Sequence, residues 1–278
     1  ADGPTPAAEC VQRGKPVLAW FHTVSEILLS PEDGIELPAT YVCPARAGWR
    51  GSALLYFDDR GRWTDLRKQG WLAGVIGFID KETNGPALLT VDLRGWGDSR
   101  PANTAYDIAG WADSERWMAY VSAALGDPVL AMRIWDGLSA LAWLRAQPEI
   151  DPAKIVVGGR GMGGAVALHV AVLAQHQGTP AAAAFALDSL ATFESLAVSE
   201  TYAWSHEDFL PGVLEFYDLP DLARALDTPV LLANPLDAGK QPLDATAAAA
   251  LYPASPKLRC AVGNDSQATA AAFVGDFR

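Results

Sequence analysis

One stretch constrains this chain more than any other: Lys154–Val172, KIVVGGRGMGGAVALHVAV. A β-branched run (Ile155, Val156, Val157) enters a glycine cluster, and an apolar helix of small residues leaves it. A strand that turns sharply into a helix through G-x-S-x-G exposes its central serine at the tip of a sheet. Here the five positions are Gly159, Arg160, Gly161, Met162 and Gly163. Glycine stands at the serine position, and glycine has no side chain with which to attack. The turn is predicted to form without its nucleophile.

Strand and helix signals alternate around it, the pattern of a mostly parallel sheet covered on both faces. Early strands are expected at 16–21, 35–43 and 52–57, with a turn at Pro31–Gly34 between the first two. Later strands are expected at 87–91, 181–187, 229–233 and 257–262. Helices are expected over 63–73, 112–125, from Pro128 to Gln147, and over 220–226, 245–251 and 266–274. In the helix after Pro128, Leu130, Ile134, Leu138 and Leu141 form one apolar face. Residues 188–219 read as an irregular, cap-like excursion.

Half of the 278 residues are hydrophobic, enough for one large core, and no linker or charge run divides 1–278. A single domain is therefore expected, either whole or a piece of a longer polypeptide, since the sequence opens on Ala1. The net charge of −12 argues against nucleic acid or an anionic membrane surface as a partner. It is compatible with neutral sugars or esters as ligands. The strongest apolar run, Ala165–Ala174, is too short to span a membrane and belongs to the helix after the glycine turn. Cys10, Cys43 and Cys260 are too few for a disulfide framework or a zinc site. They read as three buried thiols, with a Cys10–Cys43 bridge as the alternative if the protein is exported. No spacing calls for a metal or another cofactor.

In open α/β sheets ligands sit beyond the carboxyl ends of the strands. There this chain carries Asp58, Asp59 and Arg60, then Asp92-Leu-Arg94-Gly95-Trp96-Gly97-Asp98-Ser99, then Arg160, Asp188 with Ser189, and Asp237. This ring of carboxylates and arginines reads as a salt-bridge network bracing the turns. The alternative is a ligand site built from Asp58, Asp59 and Arg160. The DLRGWGDS loop reads as architecture, its glycines allowing the turns and its aspartates capping free amides.

DLRGWGDS, GGRGMGG, VLEFYDLPDL and LLANPLDA occur in this order. With that order the chain resembles the α/β-hydrolase superfamily, and more narrowly bacterial acetyl-xylan-esterase-like and dienelactone-hydrolase-like proteins. The resemblance runs from about Ser52 to Val262. It implies an eight-stranded, mostly parallel sheet and ester hydrolysis by a Ser, Asp, His triad in that chain order. It also implies an oxyanion hole of backbone amides beside the nucleophile and after the third strand. Carried over by position, the nucleophile is Gly161, the acid is Asp237, and the histidine expected after the last strand is missing from 262–278. The third-strand turn is Asp58-Asp59, where a carboxylate would repel an oxyanion unless Arg60 or Arg160 neutralised it.

Four histidines remain. His169 and His176 lie down the helix after the glycine turn, His169 as a core or interface residue, and His22 ends an early strand. His206, in the excursion, is the choice for a relocated base, with Asp188 or Asp237 as its acid and Ser189 or Ser205 as nucleophile. The alternative for His206 is an exposed residue of the excursion. The Met162 amide, at a helix N-terminus, together with Arg160 could bind a carboxylate.

The leading expectation is an esterase-like domain with a degenerate catalytic triad, a pseudoenzyme acting as a binding or structural module for a small-molecule or saccharide ester ligand or another protein domain. Against it stand a carboxylic-ester hydrolase with relocated groups near His206, and an engineered Ser-to-Gly change at Gly161. Likeness to polysaccharide-active esterases is compatible with a secreted or periplasmic protein, though nothing in the residues demands export.

Overall fold

Successive residues of one central strand feed two separate cores. Ala53, Leu55 and Phe57 face one cluster of buried side chains, while Leu54 and Tyr56 face another. A strand buried on both faces has this period of two, with apolar residues on either side. The computed structural model describes residues 6–67, 70–77, 85–101, 114–263 and 265–277. The strands among them are β1 (Glu9–Gln12), β2 (Val17–Ala19), β3 (His22–Ser30), β4 (Leu37–Pro44), β5 (Gly51–Asp58), β6 (Ala87–Val91), β7 (Ile150–Arg160), β8 (Ala183–Leu187), β9 (Val230–Ala233) and β10 (Leu258–Ala261). The helices are α1 (Trp71–Val75), α2 (Ser114–Ala124), α3 (Val129–Arg145), α4 (Met162–His176), α5 (Phe193–Val198), α6 (Leu219–Ala225), α7 (Ala245–Leu251) and α8 (Ser266–Gly275).

The sheet order is β1-β3-β4-β6-β5-β7-β8-β9-β10, with β2 also on β3. From β6 through β5 to β10 every pairing is parallel, while β4 is antiparallel to β6 and β3 to β4. The sheet thus has ten strands rather than the expected eight: β3 to β10 form its mostly parallel body, and β1 and β2 extend the antiparallel edge on β3. Helices α3 and α4 pack on one face. On the other, α1 and α8 cover Tyr56, Val156 and Phe185.

The first third departs from expectation. The nine-residue strand β3 was not anticipated, and His22 begins it rather than ending a strand. Its centre carries Ser25 and Glu26 where an inward apolar face would be sought. The structure uses them differently, for Glu26 accepts from Thr40 and Arg62. The strand expected at 16–21 shrinks to β2, because the chain reverses at Trp20 with φ 55°. The helix expected over 63–73 is reduced to turns followed by α1, with residues 68 and 69 outside those described. Asp65 explains the break: its side chain accepts from Tyr56 and Trp71, and its carbonyl from Leu72. The first two residues of the helix expected over 112–125 also lie outside the described residues; the rest is α2 and the turn after it. The cysteines are neither bridged nor all buried: Cys10 is exposed, and Cys43 and Cys260 are half-buried. Among the described residues no helix is long and apolar enough to cross a membrane.

Candidate active site at the turn from β7 to α4

The strand β7 ends at Arg160 and α4 begins at Met162, so the turn is a single residue, Gly161, with φ 59° and ψ −133°. That backbone is strained for any residue with a Cβ, and such strain gathers at functional turns. The turn is packed as tightly as the sequence pattern implies. A Cβ on Gly159 would lie 2.2 Å from the Gly163 carbonyl oxygen, and one on Gly163 2.3 Å from that of Phe57. The Gly161 amide donates to Leu187 O at 3.0 Å, tying the turn to β8.

The Met162 amide, the donor expected of an oxyanion hole, is already engaged. It donates to the Asp59 carboxylate at 2.9 Å. A Cβ on Gly161 would lie 2.1 Å from Asp59 Oδ2. The carboxylate therefore fills the space a serine side chain would enter.

Its neighbours form a chain of ion pairs. Arg60 holds the buried Asp58 through Nε at 2.8 Å and Nη2 at 2.6 Å, and reaches Asp65 at 2.9 Å. Arg160 pairs with Asp188 at 2.7 Å and lies 3.7 Å from Asp65. Burial raises the pKa of Asp58, with Arg60 working against it. Burial pushes Asp65 the same way, but donation from Tyr56 and Trp71 and the charges of Arg60 and Arg160 outweigh it and hold that carboxyl below its usual value. Neither arginine bonds to Asp59.

The expected catalytic groups do not converge. Asp188 accepts from Asn234 at 2.8 Å and Ser266 at 3.3 Å besides Arg160. Asp237 caps its own turn, accepting from the amides of Gly239 and Gln241 at 2.8 Å each. His206 meets the Tyr202 hydroxyl at 3.3 Å and lies edge-on to the rings of Tyr120 and Tyr202. It is hydrogen-bonded to neither aspartate. Ser205 accepts from the Glu207 amide and caps a short 3-10 turn. Ser189 is buried with its hydroxyl unpartnered.

His22 is buried against Ile76 O at 2.9 Å. His169 is buried with both ring nitrogens engaged, Nδ1 to Ala165 O at 2.8 Å and Nε2 to the Tyr217 hydroxyl at 3.0 Å. Burial lowers its pKa to about 4. An NMR pH titration should find the His169 ring neutral down to about pH 4; a midpoint near 6.5 would contradict the burial. Unfolded chains take up that proton at higher pH. His169 therefore contributes stability above about pH 6.5 that is lost as pH falls toward 4.

Two groups escaped the sequence reading. Asp65 is the hub that gathers Arg60, Tyr56 and Trp71 beneath the turn. Arg133 on α3 is fully buried; it pairs with Glu207, lies 3.4 Å from Asp208, and donates to Arg94 O at 2.9 Å. Next to it Asp136, also fully buried, is gripped by Arg94. Arg133 and Asp136 on an otherwise apolar helix were the available signal. The DLRGWGDS loop is braced from within and from outside: Asp92 accepts from the Asp98 amide and from the backbone and guanidinium of Arg62.

Residues 129–251 match a family model described as the alpha/beta hydrolase fold. No curated protein matches the sequence. An acetyl xylan esterase from Paenibacillus sp. R4 aligns with TM-score 0.66 and 19% identity over 98% of this chain and 89% of its own. Acetyl xylan esterase 1 from Thermoanaerobacterium sp. JW/SL YS485 aligns with TM-score 0.66 and 13% identity over 97% and 88%. A candidate acetyl xylan esterase from Bacteroides fragilis aligns at 0.65 and 16% over 84% of this chain, which spans only 63% of that protein's length. At such identities likeness establishes architecture and leaves chemistry to the site. Sheet order, one-residue turn and family model agree on it: this chain has the α/β-hydrolase fold, in a form resembling the acetyl xylan esterases.

Proposed function

We propose that this chain is an esterase-like α/β-hydrolase domain whose serine chemistry has been lost, and that it serves as a binding or structural module. One observation carries the reading: the single residue of the turn between β7 and α4 is glycine, which has no atom to attack an ester. The accounting of histidines supports it, since His206 bonds to a tyrosine and His169 is sealed in the core. Acyl transfer needs a nucleophile and a base that takes its proton. Losing either one costs on the order of a million-fold in turnover. The ligand class is a small-molecule or saccharide ester or another protein domain, and residues 188–219 act as the cap-like part of the module.

A cavity of about 280 Å³ beside His206 favours a second reading, ester hydrolysis moved into the excursion. Tyr120, Tyr202, Glu207 and Phe209 line it with His206. Acetate release from acetylated xylo-oligosaccharides and from an aryl acetate decides between them. The expected result is no turnover above that of a His206→Ala control. Turnover that vanishes in the control would establish the second reading instead.

A further inference from the structure

We propose that Asp59 is a built-in stopper of the ancestral ester site: its carboxylate occupies both the place of the missing serine side chain and the oxyanion position. This rests on the reading of the turn as a former nucleophile site and adds why the site is closed rather than merely empty. Two observations meet at one oxygen, and a third concerns its neighbours. Asp59 Oδ2 accepts the Met162 amide at 2.9 Å, the donor an oxyanion would take. The same oxygen lies 2.1 Å from where a Cβ of residue 161 would stand. The nearby arginines are committed elsewhere, Arg60 to Asp58 and Asp65 and Arg160 to Asp188, so neither draws Asp59 away.

The electrostatics favour this arrangement. The first amides of a helix lack partners within the helix and favour negative charge, and α4 is fifteen residues long. A serine at 161 would need that space, and a bound acyl group would need that amide. Glycine at 161 and aspartate at 59 therefore form a matched pair, each accommodating the other. The consequence is specific: Gly161→Ser alone leaves the site closed, because the carboxylate still competes for the serine's space and for the donor.

The test reads the Met162 amide by ¹⁵N NMR and hydrogen exchange in the wild-type chain and in Asp59→Ala. In the wild type the amide, held by the Asp59 carboxylate, should exchange slowly. In Asp59→Ala the amide resonance should move and exchange should quicken at least tenfold. A Met162 amide with the same shift and exchange in both proteins would overturn the proposal.

A second arm uses a cysteine, whose alkylation needs no partner histidine. Iodoacetamide labelling of residue 161, read by peptide mass spectrometry, should be at least tenfold faster in Gly161→Cys/Asp59→Ala than in Gly161→Cys. Equal rates in two folded variants would overturn it too. The proposed loss of function fails on a different result, ester turnover by the wild-type chain.

Discussion

Arg133→Met will lower the stability of the fold by about 3–5 kcal/mol at neutral pH, the usual cost of stripping the partner from buried charges. Arg133 has no exposed surface and joins α3 to the excursion through Glu207 and Asp208, while its guanidinium lies 4.6 Å from the centre of the Trp96 ring. Methionine keeps much of the volume but leaves the buried Glu207 and Asp208 carboxyls without this cation. The loss should depend on pH in a direction that can be worked out. Burial, and then the like charges of Asp59 and Glu207 against the pull of Arg133, push Asp208 up to about 7. A carboxyl raised in the fold contributes stability fully present below its unfolded value near 4 and lost as pH rises through 7. Without Arg133 the carboxyl rises further, so the variant should lose more at pH 8 than at pH 5. Urea melts at both values measure this; a loss under 1 kcal/mol, or one equal at both, would mean the network is not the tie it appears in the geometry.

Phe185→Ala should cost a comparable amount, about 3–5 kcal/mol, for a different reason. Phe185 is fully buried on β8, and its ring contacts Tyr56, Trp71 and Phe273 with centroids 6.2, 6.2 and 6.5 Å away. It lies over Gly158, whose missing side chain makes room for it. Truncation opens a cavity between the sheet and the α1–α8 layer, and neighbours held by strand pairing can close it only in part. This loss is of packing and hydrophobic burial, so it should be the same at pH 5 and pH 8. The contrast between the two variants separates a charged tie from an apolar one. A Phe185→Ala loss below 1 kcal/mol would show that the layer collapses onto the gap.

The parallel half of the fold was legible because its strands are continuous apolar runs ending in turn residues. Residues 87–91 and 245–251 form β6 and α7 as expected, and α4 starts at Met162 within the glycine cluster, directly after β7. The antiparallel edge was not legible. In β3 the polar Glu26 is held by Thr40 and Arg62, partners 14 and 36 residues away, and no local pattern reports that. The charged ring at the strand ends was visible as a list of residue types, and the pairing was not. Whether Arg160 meets Asp59 or Asp188 depends on where β7 and β8 end relative to β5.

The sequence by itself determined that Gly161 cannot attack an ester and that residues 262–278 hold no histidine, since a side chain absent from a position cannot be supplied by folding. It also determined the layered α/β architecture, through the spacing of apolar runs and glycines. Only the tertiary structure decided what fills the vacated place. Asp59 and Met162 are 103 residues apart in the chain, and their contact exists because β5 and β7 lie side by side in parallel, their ends brought to the same edge of the sheet.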